Sequence, residues 1–143
     1  MTDLQKQLNK QVANFQVLNV KLHHFHWYVK GPNFFTLHAK FEELYEMVNE
    51  YYDSFAERLL TIGGKPATKM QTYLELSSIS ETSTYDSLEM VDELIKDFKL
   101  VVLELKELTV LAQDHEDEQT ADLAITTAEA LEKHIWMLRA FLG

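Results

Sequence analysis

Four of the six histidines of this chain fall within one stretch, LHHFHWYVKGPNFFTLHAKFEELYEMVNEYYDSFAERLL (Leu22 to Leu60), among several carboxylates. Imidazole with carboxylate suits Fe, Mn or Zn, whereas Ca or Mg usually takes oxygen ligands alone. If the part after Pro32 is one helix, Glu42, Asp53 and Glu57 lie at about 40°, 60° and 100° from His38, so all four share a face. Glu42 and Asp53 are nevertheless about 16 Å apart along the axis, and no single ion bridges that gap. His38 with Glu42 is therefore one i,i+4 half-site and Asp53 with Glu57 another, each too poor in ligands to hold a metal well. Two copies of the helix, antiparallel about a two-fold axis near Met47 and Val48, would complete each other and make two equivalent composite sites. His26, across the tight Gly31-Pro32 turn, can fold back to add a nitrogen. The competing reading is a solvated helix face on which acids and histidines do no chemistry.

No Glu-x-x-His occurs anywhere in the chain, so the usual di-iron centre inside one bundle is not expected. His23, His24, His115 and His134 are read as packing or surface residues, and Arg58 as the partner of a neighbouring acid.

The elements that must position these residues are marked by few punctuators: Gly31-Pro32, Gly63-Gly64 with Pro66, a Ser/Thr-rich stretch from Ser77 to Thr84, and acids from Asp114 to Glu118. They divide the chain into four long segments. Leu4, Leu8, Val12, Phe15, Leu18, Leu22, Phe25 and Val29 recur at helical steps in the first, opened by a Thr2–Gln5 capping box. The second starts after Pro32 with Asn33 as its cap and carries Phe41, Leu44, Val48, Phe55 and Leu59. Ser83 and Asp86 open the third, and the fourth runs through Leu123, Leu131, Ile135, Leu138 and Leu142. Met70 to Leu76 can make a short extra helix within the long middle connection. Four long helices with short outer connections and one long crossover predict an all-α, ferritin-like four-helix bundle, with that extra helix between the second and third.

At 143 residues the chain is expected to be one domain, 1–143. Its composition, 46% hydrophobic and 25% charged with only 4 Gly and 2 Pro, excludes collagen, low-complexity disorder and a turn-rich β-sandwich. The absence of Cys removes disulfide scaffolds, thiolate metal sites and cysteine nucleophiles. A net charge of −10 repels phosphate backbones and concentrates cations. Aliphatic runs such as Leu100 to Leu103 are far short of a bilayer span, and the polar start MTDLQKQLNKQ lacks a secretory segment, so a soluble cytoplasmic protein is expected.

The run FHWYVKGPNFFTLH (Phe25 to His38), then KFEELY (Lys40 to Tyr45), D-x3-ERLL-x-IGGKP (Asp53 to Pro66) and KHIWMLRAFL (Lys133 to Leu142), closely resembles the Dps family, the mini-ferritins. The resemblance spans essentially the whole chain. It implies a hollow homododecamer that oxidises Fe²⁺ with hydrogen peroxide or oxygen and stores the ferric mineral, protecting against oxidative damage. Its iron centres lie at two-fold interfaces, with His26, His38 and Glu42 on the positions given by one subunit and Asp53 and Glu57 on those given by its partner. Zn²⁺ or Co²⁺ would substitute for iron on such ligands. Glu42 stands where many members have Asp, lengthening that ligand by one methylene. Trp27 matches an aromatic beside the family's centre, which implies a radical sink. Asp117 and Asp122 best match the acids of the family's iron entry pores, and Glu46 and Glu50, on the same side of the second helix as the centre, are the candidate points for ferric nucleation.

Two other readings compete. Some Dps proteins compact DNA through Lys-rich tails. Here the early lysines are only Lys6 and Lys10 and the last helix leads directly to Gly143, so DNA binding is not expected. A non-catalytic helical oligomer would share the fold and lack the iron chemistry.

Overall fold

The computed structural model describes residues 1–143. Thr2 opens the first helix, α1 (Asp3–Tyr28), with the expected capping box: its hydroxyl accepts from the Gln5 amide at 3.2 Å and Gln5 Oε1 accepts from the Thr2 amide at 3.0 Å. A turn at Gly31, whose φ of +98° suits a residue without a β-carbon, reverses the chain into α2 (Phe34–Thr61). Asn33 holds the N-cap position of α2 but gives no side-chain hydrogen bond, because its φ of −98° and ψ of 11° depart from the extended geometry that aims a cap at the next amides. The short helix α3 (Met70–Leu76) forms where the middle connection was expected to carry one. Asp86 alone caps α4 (Ser87–Asp114), accepting from Leu88 and Glu89, while Ser83 stays outside the helix. Asp117 caps α5 (Glu118–Leu142). The chain is thus an all-α four-helix bundle with an added short helix and no strands.

Helix α1 runs antiparallel to α2, joined by aromatic packing of Phe15 on Tyr51 and Phe55, with ring centroids 5.4 and 5.1 Å apart, and of Phe25 on Phe41. These phenylalanines are fully buried, and each such side chain contributes about 2–3 kcal/mol by leaving water. On its other side α1 meets α4, Gln11 and Asn14 reaching Glu104 and Lys21 reaching Asp97. As α1 ascends from Gln11 to Lys21, α4 descends from Glu104 to Asp97, so α2 and α4 are parallel. A parallel pair cannot be joined by a tight turn, which is why the middle connection is long.

That connection is held largely by polar ties. Asn9 accepts from the Ala67 amide, and Asn14 Oδ1 accepts from Ser77 Oγ and the Ser78 amide at 2.9 and 2.8 Å. Lys21 donates to the Ser80 carbonyl, and His24 bonds the Thr84 carbonyl at 2.9 Å. His24 is thereby a packing residue, as expected. At the end of α2, Gly64 comes so close that a β-carbon would sit 3.2 Å from the Leu59 carbonyl oxygen and collide with the buried Leu59 side chain.

Candidate metal centre

His26 lies in the last turn of α1 and His38 in the second turn of α2, and the Gly31 turn lays one on the other. Their rings stack with centroids 3.7 Å apart and 14° between planes. Each Nδ1 lies 2.7 Å from the other residue's backbone carbonyl. A carbonyl only accepts, so each Nδ1 carries the proton and each Nε2 keeps its lone pair for another partner. The His26 carbonyl belongs to the last turn of α1, where no further amide of the helix reaches it, so His38 satisfies an otherwise orphaned acceptor. The His38 carbonyl lies inside α2 and uses its second lone pair. Backbone thus fixes both tautomers, the arrangement that metal-ligating histidines commonly require of their outer partners.

Glu42, one turn beyond His38, brings Oε1 to 3.8 Å from His26 Nε2. Its side chain is half exposed, whereas His26 is buried. Tyr45 donates its hydroxyl to the same Glu42 oxygen at 3.3 Å. Burial first, then the Glu42 charge, raises the pKa of Tyr45 above its ordinary value and keeps the phenol a donor. His23 stacks on Tyr45 at 3.9 Å and also meets Trp27, which is 68% exposed. The rings of His23 and Tyr45 link the Trp27 ring to that of His26.

Asp53 and Glu57 occupy the far half of α2 and are exposed, as are Glu46 and Glu50 between the two ends. Within one chain no three His, Asp or Glu side chains gather into a group able to hold an ion. The structure stacks His26 on His38 and sets Glu42 3.8 Å from His26, short of a complete ligand group, and leaves Asp53 and Glu57 apart from them. Sequence reasoning missed Tyr45, although its i+3 spacing from Glu42 was a signal, and missed the carbonyl anchors, which no side-chain pattern displays.

At the other end of the bundle Asp117 is engaged within its own chain. Its Oδ1 accepts from Arg58 Nη2 at 2.9 Å and from the Thr120 amide at 3.0 Å. Burial alone would raise its pKa, but Thr120 and Arg58 outweigh burial and hold the carboxyl below its ordinary range. Arg58 is thus an ion-pair partner, though of Asp117, 59 residues away in sequence, rather than of a neighbouring acid as expected. Asp122 is exposed, together with Glu116 and Glu118.

Parallel α2 and α4 joined by a long crossover are the topology of a ferritin-like bundle, and the model of the ferritin-like domain matches residues 5–143. The DNA protection during starvation protein 2 of Bacillus anthracis is 54% identical over 137 residues, covering 95% of this chain and 94% of that protein. The crystal structure of a Dps protein from Bacillus brevis superposes with a TM-score of 0.96 at 48% identity, covering 100% of this chain and 99% of the other. Dps from Listeria innocua, solved after soaking with zinc, gives 0.96 at 40% identity and covers 99% and 97%. The chain belongs to the Dps family of ferritin-like proteins. That membership places it among proteins of iron storage and of DNA protection during starvation. No helix is long and apolar enough to cross a membrane.

Proposed function

We propose that the protein is a ferroxidase and iron store, a single 1–143 domain that works in the cytoplasm as a hollow homododecamer. Fe²⁺ is its substrate, held between His26, His38 and Glu42 of one copy and Asp53 and Glu57 of a copy related by a two-fold axis. The observation that carries this reading is the tautomer-locked pair His26–His38 beside Glu42, a ligand set too small to work alone. The complementary acids are exposed about 16 Å along the same helix, where an antiparallel copy of α2 supplies them.

Hydrogen peroxide is the oxidant favoured here, with oxygen as the alternative. Two ferrous ions each give one electron, the O–O bond accepts both and breaks, and two protons complete two waters. Because both electrons reach the same peroxide, no hydroxyl radical is released. The carboxylates offset the positive charge that grows as iron is oxidised, and the two Nε2 lone pairs add ligand strength. Zn²⁺ or Co²⁺ would occupy the same donors without turning over. Trp27 is assigned as a sink for stray radicals, supported by its ring contact to His23. Glu46 and Glu50, exposed on α2, are assigned to ferric nucleation. Asp117 and Asp122 are assigned to the iron entry pore, Asp117 also capping α5 through the Thr120 amide.

Stopped-flow oxidation of anaerobic Fe²⁺ by peroxide tests the reading. His38→Ala and Asp53→Ala should each slow the reaction by about tenfold or more, since even supporting residues of a metal site cost that much. Parental rates in both variants would refute it and leave a non-catalytic oligomer. DNA binding is the alternative that the family name keeps open. The charge of −10 opposes it, and tight retardation in a gel shift at low salt would favour it instead.

A further inference from the structure

Helices α2 and α5 lie side by side, and two cationic side chains of α2 cross the seam. Arg58 reaches Asp117 and Thr120 near the start of α5, and Lys40 reaches His134 near its end. Lys40 Nζ lies 3.3 Å from His134 Nδ1 and 2.6 Å from Glu43 Oε2. An ammonium can only donate, so Nδ1 carries a lone pair and His134 is neutral, its proton on Nε2. Beyond this contact the seam opens into a cleft of about 450 Å³, lined among others by Leu37, Lys40, Met137, Leu138 and Phe141. The Lys40–His134 contact is the last polar tie between the two helices before α5 ends.

We propose that this tie is an acid-released latch: protonation of His134 turns it against Lys40 and frees the final turns of α5 from the part of α2 that carries His38 and Glu42. A proton on Nδ1 would point at the Lys40 ammonium, setting donor against donor and charge against charge. The ionisable groups acting on His134 are Lys40 and Glu43 across the seam and Lys133 on its own helix. The ion pair from α4 to α5, Lys106 with Glu132, is exposed and two residues away along α5. Burial first, then Lys40, depresses the imidazole pKa below its ordinary 6.5, with Glu43 opposing and Lys133 assisting. The unfolded chain therefore binds the proton more readily than the folded one. The stability contributed by neutral His134 is complete above the ordinary value and falls as pH drops below it.

Hydrogen exchange of the assembled protein tests the latch without iron. After correction for intrinsic rates, the 134–143 segment should exchange about two- to tenfold faster in the parent than in His134→Gln at about pH 5, the factor for losing one side-chain hydrogen bond. The two should match at about pH 7.5. Glutamine still accepts from Lys40 but never charges. Lys40→Met, which removes the tie at every pH, should exchange fast at both. The same acid response in the parent and in His134→Gln overturns the proposal, as does exchange in Lys40→Met at about pH 7.5 that is as slow as the parent's. An imidazole of His134 that titrates at or above 6.5 by NMR overturns it as well.

Discussion

A complementation experiment measures directly whether the iron centre is divided between chains. His38→Ala spoils the nitrogen half of every site, and Asp53→Ala spoils the acidic half. In a two-fold pair of unlike variants the two sites differ. One combines both defects, and the other combines the intact His26, His38 and Glu42 of one copy with the intact Asp53 and Glu57 of the other. Random pairing at equal amounts makes half of all pairs unlike, each with one sound site of two, so about one quarter of wild-type centres return. The geometry forbids this recovery by any other route, because Glu42 and Asp53 of one chain are about 16 Å apart along α2 and one chain cannot assemble the five ligands. The two variants are unfolded together, reassembled, and assayed for the fast phase of peroxide-driven Fe²⁺ oxidation. A mixture that stays at the level of its parents refutes the division of ligands, while a rate near one quarter of wild type supports it.

Two further expectations concern the scaffold. Glu104→Ala would strand the buried amides of Gln11 and Asn14 and release Ser78 and Lys10, at a cost of about 3 kcal/mol or more. An unchanged urea midpoint would count against that network. Burial works to raise the Glu104 pKa, but hydrogen bonds from Ser78, Gln11, Asn14 and Lys10 prevail and hold it below 4.5. The stability it supplies is therefore complete above that pH and lost as acid protonates it, so the variant should lose less stability than the parent on acidification. Gly64→Ala should lower the melting temperature through a cost of about 1–3 kcal/mol, because the added carbon meets the Leu59 carbonyl and side chain. A melting temperature equal to the parent's would show that α2 ends more loosely than described.

Much of the fold was legible because helix periodicity and turn residues point the same way. The stripe from Leu4 to Val29 became buried, as did the helical-step residues of α4 from Val91 to Ala112, whereas Leu88 in its first turn stays exposed, and Met70 to Leu76 formed the short helix where the periodic pattern weakened. Capping was legible only in part. Thr2 and Asp86 cap as read, but Asn33 does not, since the Gly31-Pro32 turn delivers it in the wrong backbone conformation. Axial spacing on α2 separated the His38/Glu42 end from the Asp53/Glu57 end. It was silent on Tyr45 bonding Glu42 and on the carbonyls that orient both imidazoles, because backbone acceptors leave no mark on residue type. Asp117 shows the opposite limit: an acid that looks free in a run of acids is engaged by Arg58, a residue far away in sequence.

The mutual grip of His26 and His38 ties the last turn of α1 to the second turn of α2 within one chain. Under the proposed division of ligands, a newly synthesised subunit finishes its nitrogen donors before it meets another copy, yet would have no means of completing the reaction while alone. Redox risk would then be postponed until the subunit has been enrolled in an enclosure, leaving a nascent chain in an iron-rich cell bystander rather than reactor.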